Sequence, residues 1–405
     1  MIKKNLVNHS SLLVIVAGAG GFFLTNIILK MILSPIEFGQ FSLLITYFSL
    51  MYIFGLFGFE QVFIRLSNIV AADTIKTQSF QIKTALRASL LSSVLGTVFF
   101  RVFYAGIEIN LLLLFLATYS ITNIMFVFTI FRLNSNFFIA QLIANFWKII
   151  LFAVSVALFL FFRNEALFHV IKNTLVITII AGFVVSLYVL RKKIAFVYNE
   201  DFSKKEIVQY FIQFFLSILI FSFLSFGDRF IFNELFGIEA FGNYYYLCNF
   251  FLAPFSIFQN YIGFKQIVQF KDSWDRKLFD KLVMKIFFFG FSLAIALAAV
   301  TWFLDSNKIL NFAFHEHLVP IAILLLIGIT RLYYAAIAAL FEATAYTETI
   351  KRVNLYFLLF LTAITLFSFF LVKTINQLIF VFLVIWIFRC FIFRTVLFRQ
   401  HTLNQ

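Results

Sequence analysis

Run after run of about 17 to 25 apolar residues, separated by short polar loops, leaves this chain one place to bury them, because about 20 helical residues cross the hydrocarbon core of a bilayer. The first half offers Leu12 to Leu33, Phe41 to Ile64, Thr84 to Phe100, Ile109 to Phe131, Phe137 to Phe162 and Thr174 to Leu190. The second offers Ile207 to Phe236, Phe241 to Phe264, Leu282 to Leu304, Leu318 to Phe341, Val353 to Val372 and Leu378 to Phe398. Most of these runs are apolar all round, as lipid-facing helices must be, whereas spanning strands would alternate. With 63% hydrophobic and 12% charged residues and a mean hydropathy of +1.00, the expected fold is an all-α integral membrane protein of about twelve transmembrane helices.

Charge gives the runs a direction. Of the 32 Lys and Arg residues, 22 fall at the two ends of the chain, in the even-numbered loops or, for Arg87, Lys285 and Arg394, within about a turn of the adjoining end of a run; five fall on the other side and five elsewhere within runs. Short basic loops stay cytoplasmic, so both termini are expected inside. The five outer bases are Arg101, Arg163, Lys172, Lys308 and Lys373. Lys3 and Lys4 begin like a signal peptide, but the apolar run continues past Ala17 to Gly21, and an uncleaved first span is expected. No loop exceeds roughly twenty residues, which leaves no room for an extramembrane catalytic domain.

The halves repeat. Phe38-Gly39-Gln40-Phe41-Ser42-Leu43-Leu44 returns 203 residues later as Phe241-Gly242-Asn243-Tyr244-Tyr245-Tyr246-Leu247, each after the first run of its half. The expected organisation is therefore an N-terminal six-helix bundle over residues 1–190, a basic cytoplasmic linker over 191–206 and a C-terminal six-helix bundle over 207–405. Six is even, so a pseudo-two-fold axis along the membrane normal follows, and two such bundles suit rocking about a central site.

Five bases inside the runs are not accounted for by the basic side. Lys30 is within a turn of its span's end and can snorkel to the interface. Lys148, Arg331 and Arg389 lie too deep for that, and Arg229 follows Asp228 directly inside the seventh run. An ionised side chain at mid-membrane costs at least about 2.5 kcal/mol, so such a group normally faces a watery cavity or a partner. Asp228 and Arg229 could be a local ion pair or could line a pathway for something polar, with Asp228 the candidate for coupling to an ion. Glu60 and Glu234 fall nearer the ends of their runs. Gln141, Asn145 and Lys148 share one helix face, which makes them a candidate polar stripe. Thr118, Thr122 and Thr129, and likewise Asn249, Ser256 and Asn260 around a kinking Pro254, make milder stripes that hydrogen bonds between helices would explain.

Other chemistry is thin. His315-Glu316-His317 does not share a helical face and lacks further ligands, so no metal site is expected, nor any cofactor. Gly18, Gly20 and Gly21 lack the strand-to-helix context of a nucleotide loop and read as close helix packing. Asn8-His9-Ser10 matches a glycosylation acceptor but falls on the predicted cytoplasmic side. Cys248 and Cys390 sit within apolar runs, where no disulfide framework is suggested. The net charge of +14 is spread over short loops, so no nucleic-acid partner follows from it.

Several stretches together resemble a family. Ser34-Pro35-Ile36-Glu37-Phe38-Gly39-Gln40-Phe41-Ser42-Leu43, then Gly58-Phe59-Glu60-Gln61-Val62-Phe63-Ile64-Arg65, and Gly227-Asp228-Arg229 ahead of Phe241-Gly242-Asn243-Tyr244 resemble the polysaccharide and O-antigen flippases, in the multidrug, oligosaccharidyl-lipid and polysaccharide exporter superfamily. The resemblance implies a non-enzymatic bacterial inner-membrane protein that flips an undecaprenyl-pyrophosphate-linked oligosaccharide outward during O-antigen, lipopolysaccharide or capsule synthesis. Membrane lipids, the polysaccharide polymerase and chain-length proteins are its implied partners. Lys148, Arg229, Arg331 and Arg389, with Gln141 and Asn145, would then supply a cationic cavity, because guanidinium and ammonium groups match phosphate. Two rivals remain open. A multidrug exporter of the same superfamily would favour deep acids, and a membrane polysaccharide polymerase would carry a large outer loop.

Overall fold

The computed structural model describes residues 2–71, 73–161, 167–199, 204–272, 275–310 and 312–402. Arg163 therefore lies outside the described residues, as do the side chains of Lys3, Lys4, Asn8, His9, Ser10, Asn260, Lys265 and Lys271. The chain divides into two compact units, Met1–Phe230 and Ile231–Gln405.

In the first unit the order is α1 (Ile2–Ile32), α2 (Pro35–Phe54), α3 (Phe59–Leu66), β1 (Asn68–Ala71), β2 (Thr74–Thr77), α4 (Ser79–Phe103), α5 (Leu111–Leu133), α6 (Phe137–Phe161), α7 (Leu167–Lys193), β3 (Ala195–Tyr198) and α8 (Lys204–Ser222). A π-helical turn at Phe223–Gly227 leads into α9 (Asp228–Asp272), most of which belongs to the second unit. Then come α10 (Arg276–Ser306), α11 (Leu318–Thr344), α12 (Thr347–Leu371) and α13 (Ile375–Thr402).

Among the described residues, eleven stretches are long and apolar enough to cross a membrane. One of them, Lys204–Gln259, is 56 residues long and takes in α8, the π turn and much of α9. It is interrupted at Gly237, whose φ of 83° and ψ of 170° end one helical segment where the apolar run was expected to end. The outer faces match the inner ones in polarity. Trp302, Phe303 and Phe288 on α10 and Phe367 and Phe370 on α12 are all more than half exposed, an apolar exterior that water would not tolerate over such lengths.

Local sequence explains several boundaries. Ser34 caps α2 by a reciprocal box with Glu37: the Glu37 amide donates to Ser34 Oγ and the Ser34 amide to the Glu37 carboxylate, with Pro35 opening the first turn. The expected second span is not one helix. It breaks after Phe54, turns through Phe57 and Gly58 at φ 54° and 83°, and resumes as α3.

The loops hold a structure that an all-helical reading did not anticipate. β1 and β2 form an antiparallel hairpin, and β3 adds in parallel to β2, so that Ile75 stands opposite Phe196. The β-branched Ile69, Val70, Thr74, Ile75 and Thr77 favour extended backbone. Ser67 Oγ, Thr77 Oγ1 and Gln81 Oε1 hydrogen-bond one another at 2.9 to 3.2 Å, fastening the hairpin to α3 and α4. Part of the expected linker at 191–206 is thus β3, paired to a strand more than a hundred residues earlier in the chain. In the same way α8, expected to open the second half, packs on α2 and α3 within the first unit, with the Phe59 and Phe211 rings 6.0 Å apart.

The two copies of the repeat are buried alike. Phe38, Gly39, Phe41, Ser42, Leu43 and Leu44, and Phe241, Gly242, Tyr244, Tyr245, Tyr246 and Leu247, are all buried, while Gln40 and Asn243 are both half-exposed.

Candidate functional site

The first cluster is built on α6. Gln141, Asn145 and Lys148 share a face, as their spacing predicts, and hydrogen bonds join them: Asn145 Nδ2 donates to the Gln141 carbonyl oxygen at 2.9 Å and to its Oε1 at 3.2 Å, and Lys148 Nζ donates to Asn145 Oδ1 at 3.3 Å. Asn145 thus holds the ammonium group through its side-chain oxygen, which leaves two of its three protons for another acceptor. Trp147 beside it stands edge-on to Phe22 of α1, and Lys148 Nζ lies 5.5 Å from the Trp147 ring centre. Close approach of α1 makes this possible, because a Cβ at Gly18 would collide with the Asn145 side chain and one at Gly21 would meet Phe152 at 3.4 Å. Gly18 and Gly21 are packing glycines, as expected, whereas a Cβ at Gly20 would meet nothing within 4 Å, so close packing does not explain that one.

Asp228 and Arg229 occupy the first turn of α9, after the π turn, with the Arg229 guanidinium 5.4 Å from the Phe226 ring. A π turn inserts an extra residue and reorients the helix beyond it, and such turns recur at functional sites.

In the second unit a single indole links the two remaining deep bases. Arg331 on α11 lies 5.3 Å from the Trp386 ring of α13, and Arg389, one turn beyond, lies 5.6 Å from the same ring. The environments differ. Arg331 is half-buried, whereas Arg389 is 5% exposed and enclosed by Tyr334 at 4.3 Å, Phe393 at 5.4 Å and Phe357 at 5.6 Å as well as Trp386. A guanidinium over an aromatic face gains about 2 kcal/mol or more where water is excluded. Arg389 therefore fastens α13 to α11 and α12, and Arg331 is the more accessible of the pair. Arg389→Ala is expected to lower stability by about 2–5 kcal/mol, since it leaves a cavity and four rings facing nothing. Thermal unfolding in detergent measures it, with Arg389→Lys expected to fall between.

The milder stripes are structural. Tyr47 Oη and Thr118 Oγ1 are 2.8 Å apart and Thr122 Oγ1 donates to the Met51 carbonyl oxygen at 3.3 Å, so these two threonines tie α5 to α2, while Thr129 bonds its own helix. Asn249 and Ser256 bond carbonyls of their own helix and not a neighbouring helix as expected, and the side chain of Asn260 lies outside the described residues. His315 pairs with Asp305 at 2.7 Å, and among the described residues no group of three or more metal-ligating side chains is found.

Sequence reading missed Trp386 and Tyr334, although Trp386 and Arg389 stand one turn apart on one run. It also placed Glu60 near the end of its span. The structure buries it to 1% exposure.

Helices of this length and exterior make the chain a multi-pass membrane protein. Compared with protein-family models, curated proteins and solved structures, it matches none.

Proposed function

We propose that this chain is a flippase of the bacterial inner membrane, carrying an undecaprenyl-pyrophosphate-linked oligosaccharide outward by alternating access. The observation that carries the reading is the placement of cations within apolar helices. Lys148 is held by Asn145 with protons to spare, and Arg331 lies half-buried against Trp386. Both suit a diphosphate, which accepts charge-assisted hydrogen bonds and is matched by the planar guanidinium fork. Deep bases disfavour a cationic drug as cargo.

A twelve-span topology belongs to the same reading. A helix of 56 residues would reach about 84 Å, far beyond a bilayer of about 30 Å, so the stretch broken at Gly237 is counted as two crossings. With an even number, both termini and the β1–β3 sheet lie in the cytoplasm. Reporters fused after Lys193 and after Gln405 are expected to read cytoplasmic, and one inserted beside His315 to read periplasmic. A cytoplasmic signal at His315 would break the twelve-span arrangement.

The direct test is reconstitution. Proteoliposomes holding only this protein and a fluorescent lipid-linked oligosaccharide should translocate it under a proton or a sodium gradient, and Asp228→Asn should alter the dependence on that gradient. Absence of translocation under both, with the substrate present in the bilayer, would overturn the assignment.

A further inference from the structure

We propose that Glu60 is a binding site for a small monovalent cation, a proton or an alkali ion, built beside the break between α2 and α3. The carboxyl group is 1% exposed, and neither of its oxygens has a hydrogen-bond partner among the described residues. A carboxylate left in that state is among the costliest things a protein interior can hold. It is met by a proton on the group or by a cation beside it.

The surroundings are enclosed and partly polar. One residue before it, Phe59 meets Phe211 of α8 with ring centres 6.0 Å apart, and one turn after it, Phe63 meets Phe126 of α5 at 5.2 Å. Thr122 of α5 reaches the Met51 carbonyl ahead of the break. Asn123, on α5 between Thr122 and Phe126, donates its Nδ2 to Ser89 Oγ of α4 at 3.2 Å. The two helices α4 and α5 packed on α3 thus carry buried amide and hydroxyl oxygens.

The elements packed on α3 are α4, α5 and α8. The charged groups they carry toward the same end are Lys83 and Arg87, Arg132, and Lys204, Lys205 and Glu206. None of these hydrogen-bonds or ion-pairs with Glu60 among the described residues. Arg65 on α3 itself turns to the Tyr210 ring at 4.9 Å. No fixed positive charge neutralises the group, so a mobile one must.

Position supplies reversibility. Glu60 lies in the first turn of α3, which no side chain caps, and the free amides of a helix start favour negative charge. Burial favours the occupied site and the helix start the empty one, so both states are within reach. The two segments meet at Phe57 and Gly58, both in the left-handed region, and occupancy of Glu60 bears directly on that joint. The site belongs to the first unit alone and does not depend on what the protein carries.

Dicyclohexylcarbodiimide tests it on the full chain in detergent, without any transport assay. A buried carboxylic acid gives its proton to a carbodiimide nitrogen, the carboxylate oxygen bonds to the central carbon, and rearrangement leaves a stable N-acylurea that mass spectrometry of peptides can locate. Labelling is expected at Glu60, absent in Glu60→Gln, while solvent-exposed carboxylates such as Glu348 stay unmodified. A proton site would show labelling that falls as the solution is made alkaline and ignores sodium or potassium at constant ionic strength. An alkali-ion site would show labelling suppressed by sodium or potassium but not by choline. Thermal unfolding of Glu60→Gln reads the same site from the other side, because the parental protein should gain stability from the proton or ion and the variant should not. A folded parental protein with no label at Glu60, or with label indifferent to both pH and cations, would overturn the proposal.

Discussion

Lys148→Ala and Arg331→Ala are expected to insert and fold as the parental protein does, yet to lose substrate binding by roughly tenfold to a hundredfold, the loss of about 1.5–3 kcal/mol that accompanies removal of a charge-assisted hydrogen bond. Neither side chain is fully buried, so little packing goes with it. Removing a charge from a membrane helix also tends to favour insertion. Arg331→Lys separates charge from shape: it keeps the cation but loses the fork, and should lie between the parental and alanine proteins. Asn145→Leu is the companion variant. It takes away the oxygen that Lys148 donates to at 3.3 Å and should lower transport with the ammonium group still present. Translocation in proteoliposomes, measured beside expression and thermal stability, decides the matter. Well-folded Lys148→Ala and Arg331→Ala proteins that transport at the parental rate would sink the cationic mechanism.

The second large effect is structural and falls at Gly58. Its φ of 83° is a conformation that costs other residues about 1–2 kcal/mol. A Cβ there would also stand 2.8 Å from the carbonyl carbon and oxygen of Phe214, backbone atoms of α8 that no rotamer change can move aside. Gly58→Ala is therefore expected to cost at least about 3 kcal/mol, backbone conformation and displaced helix together. Gly237→Ala is a comparison of a different kind: it meets nothing within 4 Å, but its ψ of 170° against 5° at Gly58 lies in a region that essentially only glycine adopts, so its whole cost is conformational. If contact with α8 were irrelevant, thermal unfolding would show Gly58→Ala costing no more than the roughly 1–2 kcal/mol of its own left-handed conformation.

Much of this molecule is visible before any coordinates. Long apolar runs can be read from one sequence because the bilayer demands an unbroken length of apolar helix, and the eleven candidate spans fall where those runs lie. The stripe Gln141, Asn145, Lys148 was legible for a related reason. Helical spacing alone puts three residues on one face, and the hydrogen bonds between them are local. The Gly237 break is likewise a property of a few adjacent residues.

Features that the sequence could not reveal depend on partners distant along the chain. The β2–β3 pairing joins Thr74–Thr77 to Ala195–Tyr198 across four intervening helices, and nothing in either tetrapeptide names the other. Arg331 and Arg389 look equivalent as deep bases in apolar runs. Only the packing of α11 against α13 encloses one in four rings and leaves the other half-open. Glu60 looked like an acid near a helix end. After the break at Gly58, α3 packs against α5 and α8, and the carboxyl group is buried to 1% exposure, which a position near the end of an apolar run does not reveal. Hydropathy and helical period are local quantities, and a single sequence determines them. Burial is set by which helix comes to lie against which, and that was decided by the tertiary structure.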